Sequence, residues 1–463
     1  MRGWLMAGIA VVGFASGAAA QPGARLAGNW NGTLSAGAMK LRLGLAIERG
    51  ANGALSGTLV SVDQGGARVP ASVLPHGDTA VTVEAGGVAI RGRLSANGDT
   101  LTGAFEQGSA KIPLTLVRGA AVAAAPARPQ EPKRPFPYRE EEVSFASVPG
   151  VRIAGTLTLP QGNGPFPAAV LITGSGQQDR DESLMGHKPF LVLSDYLTRR
   201  GIAVLRMDDR GEGGSTGNFA ASTTADFAND VEAAVRFLAA RPEVARNKVG
   251  LIGHSEGGVI APIVATRSPG VAYVVMLAGT GIRGDSLLRL QGAAILRSSG
   301  ASEEMVKRQG EAQARIFAAA LQGRDSADVA RRLRASLTPE ERAAGATSPD
   351  SLPPPVRPLL TPWFRYFLGY DPRPALQRLK VPTLALNGAL DVQVPAKENL
   401  GAIDAALRRA GNRDYRVMEL PGLNHLFQTA RTGGPAEYAT IEETMAPAAL
   451  EAIASWIVQR FGR

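Results

Sequence analysis

The chain has no cysteine. That excludes disulfides, a cysteine nucleophile, thiolate metal sites and a lipid-anchored N-terminal cysteine, and it leaves the compartment open. Histidine is scarce, with four in 463 residues. Lysine is sparse too, so the formal net charge of +9 comes almost wholly from arginine. Arg289, Arg297, Arg308, Arg315, Arg331, Arg332 and Arg334 are scattered among apolar residues at helical spacing. That pattern reads as a solvated or salt-bridged helix face, so no nucleic-acid partner is expected. No run after the N-terminus reaches membrane-span length, and no integral span is expected. The charged fraction of 20% is too moderate for a disordered chain, and the length allows two or three domains, each with its own core.

Composition changes along the chain divide it. Residues 1–20 open with Met1-Arg2, continue through an apolar core over 4–14, and end in Ala18-Ala19-Ala20. This reads as a cleaved signal peptide, predicting a mature protein from Gln21 that is secreted or periplasmic. Residues 21–118 carry short alternating runs (29–34, 39–47, 53–60, 80–83, 88–94, 101–105, 112–117) separated by turn pairs such as Asn52-Gly53, Gly86-Gly87 and Asn97-Gly98. About eight strands joined by tight hairpins predict a small all-β domain, closed as a barrel or stacked as a sandwich. His76, beside Gly77-Asp78, reads as a surface turn residue. Residues 119–137 are Ala-rich and then Pro-rich, predicting an extended linker. From 138 to 463 strands alternate with helices, the mark of a mostly parallel, doubly wound α/β sheet. The rhythm stops over about 281–379, which predicts a helical cap inserted over the strand ends. The aromatic cluster Trp363-Phe364-Arg365-Tyr366-Phe367 is read either as cap core or as lining of an acyl pocket.

One stretch carries the chemistry. In Val249-Gly250-Leu251-Ile252-Gly253-His254-Ser255-Glu256-Gly257-Gly258 an apolar strand breaks into Gly-x-Ser-x-Gly and continues as a helix. This order describes a nucleophile elbow, a turn so tight that Gly253 and Gly257 have no room for side chains and Ser255 stands exposed in a strained conformation. A serine hydroxyl needs an adjacent base, itself oriented by a carboxylate. Of the histidines, His254 sits on the elbow and is expected to point away from Ser255 and pack locally, while His187 precedes an early helix. His425 follows the last strand and can reach the serine. Asp391, after the strand ending at Leu386-Asn387-Gly388, supplies the carboxylate. The backbone N–H groups of Glu256 and Ser175 are the expected oxyanion donors. The run Asp179-Arg180-Asp181-Glu182, with Asp209 and Arg210, is expected to tether loops. This chemistry calls for no metal or cofactor.

These residues also carry a resemblance. The stretches 173–182 and 208–217, with 253–258, 387–395 and 422–427, resemble a family of secreted bacterial α/β-hydrolases, the lipid esterases and carboxylesterases related to dienelactone hydrolases and prolyl oligopeptidases. One departure is Gln177, where many relatives have proline. The resemblance implies hydrolysis of a small-molecule or lipid-like carboxylic ester by Ser255, Asp391 and His425. Peptidase, amidase or thioesterase activity on the same fold is the alternative, and the β-domain could serve as a carbohydrate- or surface-binding module.

Overall fold

The computed structural model describes residues 23–36, 39–50, 53–62, 67–107, 110–120, 127–343 and 351–462. The expected signal peptide lies outside them. The chain divides into two compact units between Ala125 and Pro126.

The first unit is an antiparallel barrel of β1 (Gly28–Ala36), β2 (Met39–Arg49), β3 (Leu55–Ser61), β4 (Ala67–His76), β5 (Ala80–Ala85), β6 (Val88–Leu94), β7 (Thr100–Gln107) and β8 (Ala110–Arg118). Each strand pairs with the next, and β1 pairs with β8 at Trp30↔Arg118 to Gly32↔Leu116, which closes the sheet. Closure decides between barrel and sandwich. The interior is filled by Trp30, Leu45, Leu101, Leu116 and their neighbours, so it is a packed core. β4 carries no clear alternating run in the sequence because Pro70 and Pro75 interrupt it. His76 ends β4, exposed, with Nε2 3.0 Å from the Thr82 hydroxyl.

In the second unit, β9 (Arg139–Ala146) and β10 (Arg152–Leu159) form an antiparallel hairpin. Then follow β11 (Phe166–Ile172), α1 (Pro189–Thr198), β12 (Ala203–Met207), α2 (Thr224–Ala239), β13 (Val244–His254), α3 (Gly257–Ala265) and β14 (Val271–Leu277). The helices α4 (Gly284–Ser298), α5 (Glu303–Leu321), α6 (Ser326–Ser336), α7 (Pro339–Ala343), α8 (Pro362–Gly369) and α9 (Arg373–Leu376) come next. The unit finishes with β15 (Thr383–Gly388), α10 (Ala396–Ala410), β16 (Tyr415–Leu420) and α11 (Pro447–Phe461). Strand order across the sheet is β16-β15-β14-β13-β11-β12-β10-β9. The six strands from β11 to β16 run parallel; β11, β12, β14 and β15 are buried on both faces, whereas the edge strand β16 is only partly buried. One side packs α2, α3 and α10, the other α1 and α11.

This register sets the site. Ile172 pairs with Gly253, His254 with Leu277, Leu277 with Leu386, and Gly388 with Leu420. The loops after β11, β13, β15 and β16 therefore leave the sheet along one edge, where open parallel sheets hold their ligands.

The insertion is helical, with a core of its own around Phe317, Val329, Leu333, Leu359 and Leu368. Several of its arginines are paired: Arg297 with Glu303, Arg315 with Glu341, and Arg331 and Arg332 with Asp328. Of the expected linker, residues 121–126 lie outside the description, but from Arg128 onward the stretch is bound to the second unit. Arg128 donates to the carbonyls of Ile441, Ala439, Met185 and Gly186, and Gln130 to that of Met445.

Candidate active site

The elbow is built on missing side chains. A Cβ on Gly253 would lie 2.0 Å from the Gly257 carbonyl oxygen, and one on Gly257 would lie 2.1 Å from that of Ile172. Ser255 has φ of 53°, in the left-handed region. For a residue with a side chain this costs about 1–3 kcal/mol and persists only where its surroundings enforce it. Here the Ser255 N–H is fixed to the Leu277 carbonyl at 2.8 Å, and its carbonyl accepts from Gly258 at 3.0 Å.

Asp391 and His425 arrive from the loops after β15 and β16. His425 Nδ1 lies 2.8 Å from Asp391 Oδ2, and both residues are buried. The other carboxylate oxygen, Oδ1, accepts the N–H groups of Gln393 and Val394, each at 2.8 Å. The histidine loop is tied by Asn424, whose Oδ1 accepts from the N–H groups of Leu426 and Gln428. Ser255 and His425 line one cavity of about 340 Å³ with Ser175, Gln178, Leu287, Leu288, Gln291, Trp363, Phe367 and Gln393. Among the described residues the serine hydroxyl makes no hydrogen bond to the His425 ring; such bonds commonly tighten only with substrate bound.

Of the two expected oxyanion donors, Ser175 lines this cavity and Glu256 follows Ser255 in the chain. Glu256 starts α3, so its N–H sits at the positive end of the helix dipole. In the loop after β11, the Gly174 N–H is committed to Glu182 Oε1 at 2.7 Å, whereas Ser175 lines the cavity. The Glu256 side chain has a separate, buried role. Its Oε1 accepts from the Thr224 hydroxyl at 2.7 Å and from the Trp363 indole N–H at 2.8 Å. Burial raises its pKa above the usual carboxylate range, against the hydrogen bonds from Thr224, Trp363 and Ser175.

The charged run after β11 tethers loops throughout. Asp179 accepts from the N–H groups of Asp181 and Ser183, Arg180 forks onto Asp208, and Asp181 pairs with Arg206. Asp209 accepts from the Thr173 hydroxyl and the Gln178 N–H, and burial pushes its pKa up to about 8. Arg210 pairs with Asp230. His187 is fully buried, with Nδ1 3.0 Å from the Thr444 hydroxyl and Nε2 2.9 Å from the Tyr438 carbonyl oxygen. Burial lowers its pKa to about 4.

Two expectations change. The aromatic cluster divides between its two readings: Phe364 packs on the cap core, while Trp363 and Phe367, stacked at 5.4 Å, line the cavity. His254 does not pack locally. It bonds to Glu182 and to the backbone of His425, far away in the chain. Its partners lie 72 and 171 positions off, so spacing could not have found them.

A strand-elbow-helix carrying a serine, on a parallel sheet of this order with a helical insertion, defines an α/β-hydrolase enzyme of the serine hydrolase class. The model of the X-Pro dipeptidyl-peptidase (S15 family) matches residues 149–413, more than half of the chain, and the chain belongs to that family. The match includes Ser255 and Asp391 and stops before His425. Esterase EstD of Thermotoga maritima is 26% identical over 331 residues, covering 70% of this chain and 69% of EstD. Human acyl-coenzyme A thioesterase 1 is 30% identical over 143 residues, 30% of each chain. Among solved structures, the α/β hydrolase GrgF from Penicillium sp. sh18 aligns with a TM-score of 0.46 at 16% identity, covering 70% of this chain and 100% of that one.

Proposed function

We propose that the enzyme is a serine carboxylesterase for small-molecule or lipid-like esters of uncharged acids. Ser255 attacks the ester carbonyl while His425 takes its proton. Asp391 holds the His425 tautomer and offsets the imidazolium charge. The N–H groups of Glu256 and Ser175 receive the oxyanion. His425 returns the proton to the leaving alcohol, and water then attacks the acyl-Ser255 carbonyl by the same route in reverse.

The observation that favours an ester over a dipeptide is the charge of the cavity. A substrate with a free α-ammonium wants a carboxylate, and the one carboxylate lining the cavity among the described residues, Glu182, is 4% exposed and already accepts from His254 and Gly174. Among the described residues no arginine or lysine lines it either, so nothing there favours a phosphorylated carrier. The remaining surface is leucine, aromatic and glutamine. The likeness to EstD points the same way. The peptidase reading retains support from the family match.

The test is turnover of chromogenic acetate and butyrate esters beside aminoacyl-prolyl amides. Ester cleavage abolished by Ser255→Ala, with little amide cleavage by the parent enzyme, is the expected outcome. Turnover by the alanine variant at the parent rate would refute the nucleophile, and preference for the amides would refute the ester.

A further inference from the structure

The site holds two histidine–carboxylate couples. One is Asp391–His425. In the other, His254 Nδ1 lies 2.9 Å from Glu182 Oε1, and His254 Nε2 lies 3.0 Å from the backbone carbonyl oxygen of His425. Both partners are acceptors. A neutral imidazole has one N–H and can satisfy only one of them, whereas an imidazolium has two. The ring is therefore held as a cation, almost fully buried at the wall of the cavity, with Glu182 as its counter-ion.

The surroundings agree with that charge. Glu182 reaches His254 from the loop after β11, the His425 ring lies at 4.8 Å between centroids and Phe427 edge-on at 6.5 Å from the loop after β16, and Asp391 approaches from the loop after β15. Burial works against protonation, but the charge and hydrogen bond of Glu182 outweigh it, and the His254 pKa stands above its ordinary value. Glu182 itself is fixed at φ of 53°, a left-handed conformation that a glutamate rarely adopts. Its Oε1 also accepts the N–H of Gly174, the residue before Ser175. One ion pair thus spans three loops: the one carrying Ser175, the elbow, and the one carrying His425.

We propose that Glu182 and His254 are positioning residues for ester hydrolysis, a charged couple that sets the His425 loop and the Ser175 N–H against Ser255. The proposal rests on reading His425 as the base. It acts through two backbone groups, the His425 carbonyl and the Gly174 N–H, and not through the substrate.

The decisive variant is Glu182→Gln, which keeps an oxygen for both hydrogen bonds but removes the charge. Burial, no longer offset by the carboxylate charge, then holds the His254 pKa below its ordinary value, so the ring is neutral at neutral pH. Once neutral, the ring leaves either the His425 carbonyl or, after the amide turns, the Gly174 N–H without a partner. The expected result is a kcat about 10- to 100-fold below the parent above about pH 7, with KM little changed and the gap narrowing as pH falls toward the lowered His254 pKa. His254→Gln, uncharged at every pH, should lose about the same factor throughout. A Glu182→Gln kcat equal to the parent's above about pH 7 overturns the proposal. Ring ¹⁵N shifts of the histidine-labelled parent protein provide a reading that needs no variant to fold, and four histidines keep assignment tractable. A doubly protonated His254 at neutral pH supports the couple, and a neutral tautomer overturns it. Ser255→Ala run alongside separates the outcomes, because its activity tests the triad reading and not this one.

Discussion

Asp391 is held so fully that its carboxylate has one orientation available. Two backbone N–H groups take Oδ1 and the His425 ring takes Oδ2. In Asp391→Asn one end of the amide must present N–H groups, either to those backbone donors or to the His425 Nδ1–H. The backbone donors outnumber the ring, so the amide nitrogen turns toward His425 and selects the wrong tautomer. The expected loss is about three to four orders of magnitude in kcat with KM nearly unchanged, and steady-state kinetics on a butyrate ester check it. Equal losses in kcat and binding would mean that the loop had moved. Asp391, His425 and Ser255 were legible because each follows a strand in a fixed order. Glu182 and His254 were only half legible. The run around Glu182 reads as a tether, but what it ties is decided by strands that meet only in the folded sheet.

Strain gathers in the loops at one edge of the sheet. The non-glycine residues with positive φ among the described residues are Glu182, Met185, Ser255, Ala278 and Phe427, and each sits in a loop after β11, β13, β14 or β16. The buried strands beneath over-determine these loops, which is how a site stays preorganised. Those strands and the closing helix were readable as continuous apolar runs and 3.6-residue periodicity. The cap was readable only as a break in that rhythm, because helix packing within an insertion leaves no fixed spacing to read. Its link to the elbow is one such contact: α8 places the Trp363 N–H on Glu256, 107 positions away. Trp363→Phe keeps the stack on Phe367 and removes that donor from a buried carboxylate. It should lower stability by about 1–2 kcal/mol and raise KM several-fold, with kcat within about threefold because the elbow backbone places the Glu256 N–H. Urea unfolding and Michaelis kinetics measure both. A large fall in kcat at constant KM would instead tie the cap to the chemical step.

Two buried groups give the whole molecule opposite responses to pH. His187 titrates near about 4 in the folded chain, below the ordinary value of about 6.5. Its contribution is therefore complete above about 6.5 and lost as pH falls toward 4, because the unfolded chain takes the proton first. Asp209 titrates near about 8, above the ordinary value of about 3.9. The folded chain keeps a proton that the unfolded chain has released, so that contribution is complete below about pH 4 and lost as pH rises toward 8. Each slope is about 1.4 kcal/mol per pH unit. They cancel between about 4 and 6.5, and the loss due to Asp209 runs on alone above that. Asp209→Asn, neutral like the protonated acid, should gain on the parent progressively from pH 4 to 8, and His187→Gln should close its deficit as pH falls below 6.5. Unfolding free energies from urea titrations at stepped pH give both differences, in which the many surface carboxylates shared by parent and variant drop out. Parallel curves for parent and Asp209→Asn would mean that this carboxyl is ionised in the fold. Its charge would then add to those of Glu182 and Glu256, both of which raise its pKa in the fold.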